Sequence, residues 1–90
     1  MSDRKMYAVL LTDGAAEELG ESFSVFLRNN GDDMYIRAKL MEAEGNYLHL
    51  TVDQQILPGN PVEVTLQIPH EFIKASVCAT EPEINELGYP

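Results

Sequence analysis

The sequence has one cysteine, no tryptophan and only 6 Lys+Arg against 15 Asp+Glu in 90 residues. Each shortage removes an explanation. A lone Cys78 cannot close an internal disulfide, so the cross-links that stabilise small secreted domains are not available. Affinity for a polyphosphate backbone rests on clustered Lys and Arg, and here the bases are scattered under a formal net charge of -9. Nucleic acid and anionic lipid surfaces are therefore not expected as partners. No stretch approaches the roughly 20 apolar residues of a membrane helix, so membrane insertion is not expected. The N-terminal apolar run covers only Tyr7 to Leu11, too short for a secretory signal. A reducing cytoplasm is the expected location. Repeats, low-complexity segments and linkers are also lacking.

What is present is a foldable core. Hydrophobic residues make up 44% of the chain, with four Tyr and three Phe, too apolar and aromatic a composition for a disordered acidic chain. The length fits one domain. A chain this short buries only about two thirds of its unfolded surface, so a second copy or another protein would add stabilising area.

The patterning is mainly that of short strands. Residues 5 to 11 read as a strand, and Thr12-Asp13-Gly14 stops it. Residues 14 to 20 have helix formers after a Thr/Asp pair, with Gly20 at the end, the pattern of one or two helical turns. The next segment supports two readings: Phe23, Val25 and Leu27 alternate as in a strand, whereas Ala16, Leu19, Phe23 and Phe26 have helical spacing. Asn29-Asn30-Gly31-Asp32 then predicts a hairpin turn. Beyond it, Met34, Ile36, Ala38 and Leu40 occupy one face and Tyr35, Arg37, Lys39 and Met41 the other. A turn over 42 to 46, a strand over 47 to 52, a loop over 53 to 61 containing Pro58-Gly59-Asn60-Pro61, and strands over 62 to 68 and 72 to 80 complete the pattern. In the last strand Ile73, Ala75, Val77 and Ala79 are expected on one side. The expectation is a mainly β domain over residues 1–80, a small six-stranded antiparallel barrel with one short helix, followed by an extended acidic tail over 81–90. Closure would remove the exposed sheet edges that a short chain protects poorly.

Catalytic chemistry finds little footing. His49, His70 and Cys78 have no paired spacing with one another, and a metal site needs several ligands converging. A nucleophilic cysteine would need a neighbouring base. Asp32-Asp33 beside Gly31 lacks the ordered ligand ladder of a calcium loop. Glu42 and Glu44 in a solvated turn would only repel each other. No catalytic residue, metal or cofactor is assigned, and a noncatalytic role is expected.

The segment from Ala38 to Pro69 carries a resemblance. A strand, the turn Glu42-Ala43-Glu44-Gly45-Asn46-Tyr47, the alternating leucines Leu48 and Leu50, the loop Leu57-Pro58-Gly59 and the strand Val62-Glu63-Val64-Thr65-Leu66-Gln67-Ile68-Pro69 resemble the central third of a PilZ domain. The resemblance implies a six-stranded barrel of bacterial signalling proteins whose typical members bind cyclic di-GMP. They do so through an Arg-x-x-x-Arg segment and an [Asp/Asn]-x-Ser-x-x-Gly turn, and this chain departs from both. Glu42 keeps the acid, but Glu44 stands in place of serine and Tyr47 in place of glycine. A glutamate brings like charge to an anionic ligand, and tyrosine blocks the close backbone approach that glycine permits. Upstream, Glu17, Glu18 and Glu21 occupy the region where guanidinium groups would clamp phosphates.

The chain therefore resembles a degenerate member, for which cyclic di-GMP is not the expected ligand. The expectation is an adaptor working through protein-protein contacts, with Tyr35, Tyr47 and Tyr89 as candidate contact residues because tyrosine offers large rigid area. Two alternatives stay open: a cyclic di-GMP receptor using Arg4, Lys5 and Arg37, and an unrelated small barrel subunit of a secretion or surface assembly.

Overall fold

The computed structural model describes residues 4–57 and 60–90, with side chains at 22 and 54–61 outside the description. Seven strands form two antiparallel sheets: β1 (Lys5–Leu11), β2 (Leu27–Asn29), β3 (Met34–Ala38) and β7 (Ile73–Thr80) in one, and β4 (Leu40–Glu44), β5 (Tyr47–Leu57) and β6 (Asn60–Pro69) in the other. Their orders are β2-β3-β1-β7 and β4-β5-β6. Two short helices, α1 (Ala15–Leu19) and α2 (Glu81–Glu86), complete the chain. Among the described residues there is one strand more than expected and one α-helix more. Among the described residues, no ladder closes the two sheets into a ring.

β1 explains the four-stranded sheet. Its run Ala8-Val9-Leu10-Leu11 is buried on both faces, the signature of a central strand covered above and below. One face, with Val9 and Leu11, meets Ile36, Ala38, Leu48, Leu50, Val52, Leu66 and Ile68 in the core between the sheets. The other face, with Ala8 and Leu10, packs with Tyr35 against Ile84 of α2.

The segment 21–26 follows neither of the two readings drawn from sequence. It is a 3-10 helix between α1 and β2. Gly20, at φ 85, ends α1 in a conformation an L side chain adopts poorly, and the Ser24 hydroxyl donates to the Glu21 carbonyl at 2.7 Å. At three residues per turn, positions three apart share a side. Phe23 and Phe26 thus both lean on the inter-sheet core while Val25 is exposed. The expected hairpin does form, as a short ladder pairing Leu27 with Ile36, Arg28 with Tyr35 and Asn29 with Met34.

Two register changes correct the expected faces. Ile36 and Ala38 point into the core as the alternation predicts, but the chain bends at Lys39 and parity reverses. Leu40 is left 55% exposed, and Met41 packs inward. A second irregularity lies in the β1-β7 ladder, where Leu10 pairs with Ala75 but Leu11 with Ile73. The extra residue in β7 turns Ile73 toward the inter-sheet core, while Val77 and Ala79 face α2. The two sheets are linked where the chain passes from β3 to β4 through Lys39, whose N–H donates to the Thr51 carbonyl at 2.9 Å.

The loop expected over 53–61 is mostly strand: β5 continues to Leu57, and β6 begins at Asn60, with Asp53 opposite Glu63 and Leu57 opposite Asn60. The Pro58-Gly59 step lies outside the described residues. The tail, expected to be extended, forms α2 and returns to the sheet. Thr80 caps it in a capping box, its hydroxyl donating to Glu83 Oε1 at 2.6 Å and its N–H reaching the same oxygen at 3.4 Å. These two donors, the hydroxyl first, hold the Glu83 carboxyl below the usual carboxylate range.

A lowered folded-state pKa means that this contribution is complete above the carboxyl's unfolded pKa and is lost as pH falls through the folded value. Thr80→Ala is expected to cost about 1 kcal/mol, the usual loss for a removed N-cap. It should also flatten the acid limb of stability against pH. Urea melts at neutral and acidic pH check both.

Candidate functional site

The sheets differ in what lies outside them. α2 and the segment after it cover the outer face of the four-stranded sheet. The Tyr35 hydroxyl and Arg28 Nη1 both donate to the Pro90 backbone oxygen at 2.9 Å, and Asn30 Nδ2 donates to the Gly88 carbonyl at 2.9 Å. The Tyr35 and Tyr89 rings meet edge to face, centroids 5.1 Å apart. Tyr35 is 2% exposed and Tyr89 half-buried, so two of the three candidate contact tyrosines are engaged with each other.

Tyr47 is placed differently. It opens β5 opposite Glu44, on the outer face of the three-stranded sheet, and is 45% exposed. The alternation that sends Leu48, Leu50 and Val52 inward sends Tyr47, His49, Thr51 and Asp53 outward, and the ladders set Leu40, Glu42 and Glu44 on one side of them and Glu63, Thr65 and Gln67 on the other. Among the described residues no helix or strand covers this face. Its character is acidic with apolar ends: exposed Tyr47 lies beside Glu44 and near Glu42 at one end, and exposed Leu40 lies toward Asp53 and Glu63 at the other. Lys39 is held between Glu63 and Asp53, the latter 3.2 Å from Nζ. Hydrogen bonds to Glu63 and then Asp53 raise the Lys39 ammonium above its ordinary value. This stabilisation is present below the lysine's unfolded pKa and lost only as pH rises through the folded one.

The remaining singled-out groups do not assemble. His49 Nε2 lies 3.8 Å from Glu44 Oε2. His70 sits in the turn after β6, its N–H donating to the Asn46 carbonyl at 3.0 Å. Cys78 is exposed on β7 opposite Tyr7, and a hydrogen bond between their side chains raises the Tyr7 hydroxyl above its usual range. Glu17 and Glu18 lie on α1 and Glu21 in the 3-10 turn, away from the β4 ladder that carries Glu42 and Glu44. Among the described residues there is no group of three or more side chains able to hold a metal ion, and no helix is long and apolar enough to cross a membrane.

One gathering was missed by sequence reasoning. Arg4, Arg28, Arg37 and Lys39 line a single shallow recess of about 180 Å³ with Met6, Asp53 and Glu81. Lys5 does not line it, so of the three bases in the receptor alternative only Arg4 and Arg37 meet. The signal was present in part: Arg28 pairs with Tyr35 across the hairpin, and Arg37 follows Tyr35 by two, which puts all three on one face. The contribution of α2, which brings Glu81 over Arg37, was not legible. Comparison with protein-family models, with curated proteins and with solved structures gave no match.

Proposed function

We propose that this chain is a noncatalytic binding module, a PilZ-like adaptor without the nucleotide-clamping residues, which docks a basic protein surface on the outer face of its three-stranded sheet. The observation that carries this reading is the asymmetry of cover. One sheet's outer face is packed under α2 and Tyr89, whereas the other presents Tyr47 near Glu42 and Glu44 at one end and Leu40 toward Glu63 at the other, with nothing over it among the described residues. An exposed tyrosine supplies the large rigid area of an interface anchor, and the carboxylates beside it steer a basic partner to it. PilZ-like ancestry would account for a β domain whose strands divide into two sheets around one core. The finer form of that idea, a closed six-stranded barrel, belongs to the same proposal.

The test compares quantitative affinity capture by the wild-type chain with capture by Tyr47→Ala and Glu44→Lys. The expected result is a partner of basic pI whose recovery falls about tenfold with either variant and declines with salt. Equal recovery by wild type and both variants would overturn the docking face. Calorimetry with cyclic di-GMP tests the rest: micromolar binding would overturn the adaptor reading.

A further inference from the structure

The recess under α2 carries chemistry that the docking face does not use. Four of the six Lys and Arg residues meet there in a chain of net charge -9, and they are unequally neutralised. Lys39 is occupied by Asp53 and Glu63. Arg28 gives one N–H to the Pro90 backbone oxygen. Arg4 forms no ion pair among the described residues.

Arg37 is the central case. Its side chain is only 15% exposed, and Nη2 comes within 3.3 Å of Glu81 Oε1. That approach has the distance of an ion pair but not the direction of a hydrogen bond, since Nε and Nη2 are both buried and neither has a hydrogen-bond partner. Buried guanidinium donors left unsatisfied are costly, and polar groups so placed are normally paired. Nε and one Nη are also the edge of the guanidinium that grips two oxygens of an oxyanion side by side.

We propose that this recess binds the terminal phosphate of a phosphomonoester, with Arg37 as the bidentate anchor and Arg4 and Arg28 as flanking charges. Charge and size both select this class. Lys39 with Asp53 and Glu63 carries a surplus of one carboxylate, so the three arginines leave two positive charges once the phosphate takes the place of Glu81 on Arg37, and a phosphomonoester is close to a dianion at neutral pH. The recess is smaller than the roughly 300 Å³ at which pockets for whole drug-sized ligands begin. It takes a head group, with the remainder of the ligand outside. A diester offers a single negative charge spread over two free oxygens and fits the balance less well. Glu81 competes with the phosphate for Arg37, so it sets the affinity from the opposite side.

The experiment uses phenyl phosphate as the probe and dimethyl phosphate as the diester control, at constant ionic strength, followed through the arginine Nε–H signals by NMR. Phenyl phosphate is expected to give a saturable shift of the Arg37 signal. Dimethyl phosphate should bind about tenfold more weakly or not at all. Arg37→Gln is expected to weaken phenyl phosphate binding about tenfold, read on the Arg28 signal. Glu81→Gln should tighten it about threefold, the opposite sign. The second variant decides the matter even where the first fails to fold, because loss of a protein scaffold cannot raise affinity. Linear shifts shared by both probes, or an affinity that Glu81→Gln leaves unchanged or lowers, would overturn the proposal.

Discussion

Replacing Ile84 by alanine is expected to destabilise the whole domain by about 2–5 kcal/mol, the range for truncating a large aliphatic side chain in a packed site. Ile84 is fully buried, with Ala8, Leu10 and Tyr35 around it, and Ala8 and Leu10 belong to the strand whose opposite face makes the main core. The loss is therefore not confined to the tail. A domain of this length has a total stability of about 5–13 kcal/mol, so the variant gives up a large share of it. A fall in Tm of about 10–30 °C follows from the usual scaling for small domains. Differential scanning calorimetry reads it. A Tm unchanged within about 3 °C would mean that α2 is not part of the cooperative unit.

Deleting Lys39 is expected to abolish folding, whereas Lys39→Ala should leave Tm within a few degrees of the wild type. The side chain offers only ion pairs to two largely exposed carboxylates, and such pairs contribute little. The backbone residue does much more. It is the extra step that lets Ile36 and Ala38 face inward and then Met41. Without it, either the bend between the sheets is lost, because strict alternation then runs straight from Ala38 through Leu40 to Met41, or β4 keeps its backbone positions and slips by one residue, turning Glu42 and Glu44 toward Leu48 and Leu50. A one-residue slip exchanges the two faces of a strand, and an unpaired carboxylate in an apolar core costs several kcal/mol. Circular dichroism and calorimetry of the deletion and the substitution side by side check the contrast. A cooperative melt from the deletion would show that the bend can be absorbed elsewhere.

These two residues also mark what could be read from the sequence. Strict alternation was legible: Leu48, Leu50 and Val52, then Leu66 and Ile68, all point into the core as expected. The hairpin at Asn29–Asp32 was legible from its turn residues. The departures come where a local pattern is overruled by a contact from far along the chain. Leu40 fits the alternation of β3 yet lies outside, because β4 takes its register from β5. Phe23 and Phe26 fit both a strand and a helix, and a 3-10 turn satisfies their shared need for the core. Glu81-Pro82-Glu83 reads as an acidic, solvated stretch, but the Thr80 cap makes a helix that docks through Ile84, and Tyr89 follows it onto the sheet.

The candidate site shows the same division. Tyr47 on an exposed face follows from its parity with Leu48. The occupation of Tyr35 by Tyr89 and Pro90 does not, since nothing local to residue 35 announces a partner more than fifty positions later. The basic recess combines residues from the first strand, the hairpin and α2, and only the hairpin part obeys a short-range rule.

β1 lies between β3 and β7, so the earliest of the described strands is hydrogen-bonded on one side to the latest, with Lys5 opposite Thr80. During synthesis, the apolar run Ala8 to Leu11 leaves one edge and much of both faces unsatisfied until β7 has been made. Contacts of such long sequence separation slow folding, and an unpaired apolar strand is where nascent chains aggregate. The interval between making residue 11 and making residue 80 is the vulnerable period in this molecule's life, and its strong surplus of negative charge keeps neighbouring unfinished copies apart while it lasts.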